Sequence, residues 1–420
     1  MLSWFSHLKF GIKLNIVLSL IVLVCIGAMA MIITKQSRNA FEKEAKMLLI
    51  NAAQRQANKI SPIFNESFAI LENTQGIINN FLNAGVALDP ATIDSGMKTL
   101  LDGSNWANYA YVFMLESFMP NGNKANYVSK NGMSGYLTIY HDGDVSNAGG
   151  VSAIKTESTI LDFPAVIHAI KEQKSIFGIP VKITLNNETF YSVNAVVPLF
   201  QGSKLIGILG LSINLDLIIN NIVRNKENSI FENDYIGILA PNATVAVHEN
   251  MDLFGKGFVE VNADPRAQNI ANAQKNRTDG IFEITNLKNL DALTAISTFE
   301  IWRGLDSYWS VIISAPQSSI FAPSTEITLT IFISALITFL LILFITYIFV
   351  NRTLVDRMNK ISHTLFEFFN YLNHKRQTPP EPLRIIAQDE LGQMGLAINE
   401  NIQQTKIGLE QDAKAVEQSV

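Results

Sequence analysis

Two long apolar runs divide the chain. Residues 327–350 form the more decisive one, because no charged residue stands between Glu326 and Arg352. That length suffices for a helix to cross a bilayer, which takes about 20 apolar residues. Residues 14–34 form the other run, flanked by Lys13 and Lys35. Ala28-Met29-Ala30 has the small-x-small form of a signal-peptide cleavage site, but the run continues through Met31, Ile32 and Ile33. It therefore outlasts the apolar core of a signal peptide and reads as an uncleaved anchor. Lys9 and Lys13 precede the first run, and Arg352, Arg357 and Lys360 follow the second. Positive residues concentrate on the cytoplasmic side of a span. The pattern thus predicts a two-pass membrane protein, with both termini cytoplasmic and residues 35–325 outside.

Between the runs the periodicity changes twice. Residues 36–82 have few turn formers, and Ile60, Phe64, Phe68, Leu71, Ile78 and Leu82 recur at helical spacing, which predicts one long helix face. Pro62 predicts a kink or a cap between two helical stretches. From Asn108 onward, short β-branched and aromatic runs alternate with turns. Strands are expected at 109–115, 136–141, 179–185, 190–200 and 204–213, with a short helix at 163–172. Pro120-Asn121-Gly122, Asp142-Gly143, Asn186-Asn187 and Gln201-Gly202 supply the turns. A weaker copy follows, with a helix at 215–222 and strands at 235–239, 280–285, 293–298 and 309–315. Strands followed by a covering helix and a tight meander make this α+β.

After the second run, Leu354, Met358, Ile361, Leu365, Phe368 and Leu372 alternate steps of four and three, a heptad seam. His374-Lys375-Arg376 ends it, and Pro379, Pro380 and Pro382 predict an extended connector. Asp389-Glu390-Leu391-Gly392 opens a second helix, its acids suited to a positive helix N-terminus. Leu391, Met394, Ile398 and Ile402 form its seam, and Leu409, Ala413, Val416 and Val420 carry the heptads to the last residue.

Composition adds mostly exclusions. The 420 residues are 48% hydrophobic with a formal net charge of −5, and no basic cluster supports nucleic-acid binding. Cys25 is the single cysteine, so neither an intrachain disulfide nor a cysteine zinc site is available. His141-Asp142-Gly143-Asp144 has no second histidine at metal-ligand spacing, and no phosphate loop or nucleophile elbow is present. His363 sits inside the seam helix and reads as a surface histidine. No enzyme, cofactor or metal is expected.

Two stretches carry a resemblance. Residues 190–198, Phe-Tyr-Ser-Val-Asn-Ala-Val-Val-Pro, then Gly202, then residues 206–214, Ile-Gly-Ile-Leu-Gly-Leu-Ser-Ile-Asn, resemble the closing strands of the membrane-distal module of a double Cache sensor domain. Residues 309–316, Trp-Ser-Val-Ile-Ile-Ser-Ala-Pro, resemble the last strand of its membrane-proximal module. The resemblance, to bacterial methyl-accepting chemotaxis receptors, covers roughly residues 35–320 and implies two PAS-like modules stacked on a long helix. Asp389-Glu390-Leu391-Gly392 after a helix and connector is similar to a HAMP domain, a parallel four-helix bundle of a homodimer, although the family's early proline is missing between Asn351 and Thr378. The implied organisation is a cytoplasmic N-terminus (1–13), a first span (14–34) and a periplasmic sensor (35–325), with a distal module at 83–214 and a proximal one at 215–320. A second span (327–350), a HAMP domain (351–408) and the start of a coiled coil (409–420) follow. The methylation helices and the region contacting the chemotaxis kinase and its coupling protein are expected beyond Val420.

The resemblance also bears on the ligand. Amino-acid-binding members use an arginine, tryptophan and tyrosine cluster before the central helix and acids on later strands. Here the tyrosine and aspartate positions fall on Val181 and Ile183, and the acid position on Ser212. A ligand ammonium buried without a partner is costly, so an α-amino acid is disfavoured. Tyr111, Tyr136, Tyr140, His141, Lys182, Tyr191, Asn194 and Ser212 remain as candidate ligand residues, with Lys182 neutralising a small organic anion. Asp389, Glu390 and Gly392, with Leu354, Met358, Ile361 and Leu365, are the candidate relay. The alternatives are the sensor half of a histidine kinase or nucleotide cyclase, a membrane scaffold with a filled core, and an extracytoplasmic hydrolase.

Overall fold

A computed structural model describes residues 5, 7–86, 88–119, 121–373 and 375–419. The chain divides into two compact units, residues 39–323 and residues 1–38 with 324–420. Helix α1, Phe10–Asn83, is a single helix containing Pro62, and its residues up to Arg38 fall in the second of these units. No cap divides the helix at Pro62. Ile60, Ile63 and Phe64, all buried, hold the helix against the sheets on either side of the missing amide.

In the 39–323 unit, helix α2 (Pro90–Asp102) follows α1, and Asp89 accepts a hydrogen bond from the Thr92 amide at its start. The distal sheet then comprises β1 (Ala107–Leu115), β2 (Tyr127–Lys130), β3 (Met133–His141), β4 (Ser152–Ile154), β5 (Ile176–Phe177), β6 (Val181–Leu185), β7 (Glu188–Gln201) and β8 (Lys204–Asn214). Their order is β2-β3-β1-β8-β7-β5, with β4 on β3 and β6 on β7. Helix α3 (Pro164–Glu172) lies between β4 and β5 in the chain. Asn186 and Asn187 both take positive φ, the two-residue hairpin geometry that joins β6 to β7.

The proximal sheet comprises β9 (Tyr235–Ala240), β10 (Thr244–Val247), β11 (Gly280–Thr285), β12 (Asp291–Glu300) and β13 (Tyr308–Pro316), in the order β10-β9-β13-β12-β11. Helix α4 (Gln268–Lys275) precedes β11. Helix α1 packs on one face of each sheet. Leu49, Ile60, Phe64, Phe68 and Leu71 share one core with Val112, Val193 and Leu211 of the distal sheet and with Ile238, Trp309 and Val311 of the proximal one. The opposite faces carry separate cores, under α3 in the distal module and under α4 in the proximal one. The fold is therefore α+β with two antiparallel sheets on one long helix.

The other unit contains the start of α1 and, from Ser324 onward, helix α5 (Gln317–Phe349), which continues through a π-helical stretch, Val350–Val355, into α6 (Asp356–Leu372). Phe10–Asn83 and Gln317–Leu372 are both long and apolar enough to cross a membrane. Helix α7 is Glu390–Ser419. Asp389 accepts the Gly392 amide at 2.9 Å and two hydrogen bonds from the Arg357 guanidinium at 2.6 and 2.5 Å. This pair holds the Asp389 carboxyl down at about 2. In the connector, Leu383 exchanges two backbone hydrogen bonds with the Asn399 side chain, at 2.7 and 2.8 Å. Leu354, Ile361 and Leu365 are half-buried and Met358 is exposed, so the predicted seam stays partly uncovered within one chain. Pro120, His374 and Val420 lie outside the described residues, as do the side chains of Ala413 and Val416.

Candidate ligand site

Alternation along the strands sorts the candidate residues between two faces. Ala110, Val112, Tyr136, Tyr140, Val193 and Leu211 belong to the core shared with α1, whereas Tyr109, Tyr111, Leu137, Ile139, Phe190, Val196 and Ile208 belong to the core under α3. By strand parity His141, Asn194 and Ser212 lie on the α3 face. The pairing register places them in one row. His141 stands opposite Tyr109, Tyr109 opposite Ser212, and Ser212 opposite Asn194. A polar row thus crosses four strands on the covered face of the distal sheet.

The row is tightly packed. Ser212 Oγ donates to Asn194 Oδ1 at 2.6 Å, and both residues are buried. Tyr109 stacks between the His141 ring, 4.6 Å away, and the Phe190 ring, 5.1 Å away. Its hydroxyl donates to Glu188 Oε2 at 3.0 Å, and His141 Nε2 lies 3.7 Å from the same oxygen. Burial, helped by the Glu188 carboxylate, pushes the Tyr109 hydroxyl pKa upward. Tyr109 and Glu188 were not visible as site residues in the sequence. They are 79 positions apart, and only the register brings them together.

Tyr111, one step along β1, is fully buried and its hydroxyl has no partner. Burial alone drives its pKa up. The ring occupies space left by Gly210, directly opposite in β8. A β-carbon at position 210 would lie 2.3 Å from the Tyr111 ring and 2.6 Å from its hydroxyl. Tyr111 lies next along the same face of β1 from Tyr109, so a ligand polar group that reached its hydroxyl would satisfy it.

The structure separates the other four candidates from this row. Tyr136 and Tyr140 belong to the core on the opposite face, which α1 shares. Tyr136 packs edge-on to Tyr127 at 5.5 Å and its hydroxyl accepts from Asn126 at 3.2 Å. Lys182 alternates with Val181 and Ile183, whose side chains enter the α3-face core, so it points the other way and is exposed. Its ammonium sits 5.5 Å from the Tyr191 ring, which itself packs on Phe254 at 4.4 Å. Lys182 therefore does not neutralise a ligand in the α3-face row.

No protein-family model and no curated protein matches the sequence. Solved structures do match the fold. The periplasmic sensory domain of the Campylobacter jejuni chemoreceptor Tlp1 superimposes with a TM-score of 0.60 at 22% identity, covering 67% of this chain and 99% of that domain. A structure described as methyl-accepting chemotaxis protein X gives a TM-score of 0.53 at 14% identity, covering 66% of this chain and 98% of its own. The fold is that of these sensory domains.

The unpaired hydroxyl sets up a prediction. A buried polar group without a partner costs about 1–3 kcal/mol. Tyr111→Phe is expected to leave the ligand-free protein as stable or about 1 kcal/mol more stable, read as an equal or higher melting midpoint. A marked drop would show that the hydroxyl is already paired, by water, and has no need of a ligand.

Proposed function

We propose that the chain is the sensory front end of a transmembrane chemoreceptor, with a double Cache sensor in the periplasm and both termini on the cytoplasmic side of the inner membrane. The observation that carries this reading is the junction of β13 with α5. The last sheet strand ends at Pro316 and the membrane-crossing helix starts at Gln317, with no linker to absorb a displacement. A ligand that prefers one packing of the modules shifts the population of that packing, and the strand transmits the change directly to the span.

Residues 351–408 fit the HAMP reading. The Arg357–Asp389 pair ties α6 to the start of α7, and the Leu354, Met358, Ile361 and Leu365 seam awaits a second copy, which favours a homodimer. The chemotaxis kinase and coupling protein would be reached through a signalling domain joined beyond α7.

Without Lys182 the α3-face row offers hydroxyls and an amide, and its one imidazole already faces Glu188. A small uncharged polar molecule suits that set better than the organic anion expected from sequence, because a buried charge without a partner is costly. The test is a fusion of the chain to a chemoreceptor signalling domain, reconstituted in vesicles with the kinase and coupling protein. Small polyols, amides, carboxylates and amino acids are added in turn. One uncharged compound is expected to change kinase activity several-fold, with the response lost in Tyr111→Phe. A folded receptor whose kinase activity responds to none of these classes would overturn the reading.

A further inference from the structure

The proximal sheet repeats the polar row of the distal one on its own covered face. Tyr235 stands opposite Ser314, and Ser314 opposite Thr294, whose hydroxyls are 2.8 Å apart. Two buried side chains gather around Tyr235. The His248 ring packs edge-on to the Tyr235 ring at 4.8 Å. Asn286 adjoins it, since the next residue, Leu287, donates its amide to the Tyr235 hydroxyl at 3.4 Å.

Both side chains have a polar atom without a partner, and in both it is a donor. His248 Nδ1 accepts the Asn250 amide at 3.0 Å, so in the neutral ring the proton sits on Nε2, which is buried and unpaired. Burial lowers the His248 pKa and keeps the ring neutral. Asn286 Oδ1 accepts the Lys288 and Leu290 amides at 2.9 and 3.1 Å, which fixes the orientation of the amide and leaves Nδ2 buried and unpaired. His248 is 3% exposed and Asn286 2%. Two such donors are each costly to leave unmade, and only an acceptor can satisfy both. The Lys288 ammonium lies 5.6 Å from the Tyr235 ring and 2.8 Å from Glu249, in a pair that reaches solvent.

We propose that the proximal module holds a second ligand site, for a small carboxylate, in which His248 Nε2–H and Asn286 Nδ2–H donate to its oxygens and Lys288 supplies the charge. Charge-assisted hydrogen bonds of this kind are roughly twice as strong as neutral ones. This site stands apart from the distal row and does not depend on what that row binds.

The test is thermal melting of the full chain in detergent at pH 7.5, titrated with sodium acetate or formate against sodium chloride at equal ionic strength. A saturable rise in melting temperature beyond the chloride control is expected, as for any ligand that binds only the native state. Asn286→Asp keeps the oxygen that accepts the two turn amides but loses the donor. It is expected to raise the half-saturating concentration at least tenfold. His248→Phe keeps the ring on Tyr235 and loses the other donor, with the same expectation. Lys288→Met changes a partly exposed side chain, so it should fold even if the buried variants do not, and should weaken binding about tenfold. The absence of any rise over chloride would mean that internal water meets the donors, and would overturn the proposal. So would an undiminished response in Lys288→Met, or in whichever buried variants fold.

Discussion

Trp309→Ala is expected to lower the stability of the sensor by about 3–5 kcal/mol, the range for a large buried aromatic truncated to alanine. Trp309 is fully buried on β13 of the proximal sheet. Its ring lies 5.0 Å from Phe64 of α1 and 5.8 Å from Phe177 on β5 of the distal sheet. Phe64 and Phe177 are 5.2 Å apart, and Phe299 stacks on Phe64 at 6.4 Å. One aromatic cluster therefore joins both modules and the helix that carries them. A proximal-module cavity at this point removes contacts that the distal module also uses. Thermal melting followed by circular dichroism should show a loss of roughly 10 °C, by the usual conversion for a domain of this size, and a split of one transition into two. Trp309→Phe is the comparison. It keeps an aromatic ring and deletes an indole N–H that is buried without a partner, so it should cost much less. If Trp309→Ala melts in a single transition near the parent midpoint, the cluster does not couple the modules, and a signal from the distal row would need another path to β13.

The fold was largely legible in the sequence where periodicity was long or strongly alternating. The stripe from Ile60 to Leu82, the meander from residue 181 to 214 and the strand at 308–316 all had enough length to declare their type. The elements that escaped notice were short or polar. β10 spans Thr244–Val247 and follows Asn242 and Ala243, both at positive φ, so it looks like a loop. Helix α4 is mostly polar and buries only Ile270, Ala273 and Gln274. Helix α2 carried a readable start, Asp89 before Pro90, which marks a helix N-terminus. The site was half legible for a physical reason. Aromatic and polar residues could be placed on strands, but the face each presents depends on which side α1 packs. Lys182 shows what parity alone could have settled. Val181 and Ile183 bracket it, and a strand sends neighbours to opposite faces, so it could not share their pocket. His248 and Asn286 gave no local signal, because their significance lies in unpaired atoms that only the packed structure defines.

Gly392→Ala is expected to disrupt the unit that holds residues 324–420 while leaving the 39–323 unit intact. A β-carbon at position 392 would lie 1.8 Å from the Ala387 carbonyl oxygen, a backbone atom that no rotamer change can move. The connector and the first turn of α7 meet here, and Asp389 binds both the Gly392 amide and Arg357 of α6. Relief of the clash must displace the connector or unwind the helix start, and either movement pulls Asp389 away from Arg357. Overpacking of this kind costs about 1–3 kcal/mol. Gly408, on the same helix, is the control, because a β-carbon there meets nothing within 4 Å. Gly408→Ala should stabilise α7 by roughly 0.5–1 kcal/mol through helix propensity alone. Limited proteolysis separates the two substitutions. Gly392→Ala should open the connector around residues 375–389 to cleavage, whereas Gly408→Ala should leave it as resistant as the parent. In the reconstituted fusion, Gly392→Ala should also fix kinase activity at one level whatever ligand is added, with ligand-dependent melting of the sensor retained. That combination would place the defect after the membrane spans. Equal protease resistance in the two variants would mean that the connector yields without strain, and that the tight contact at Gly392 does not govern the packing of α6 against α7.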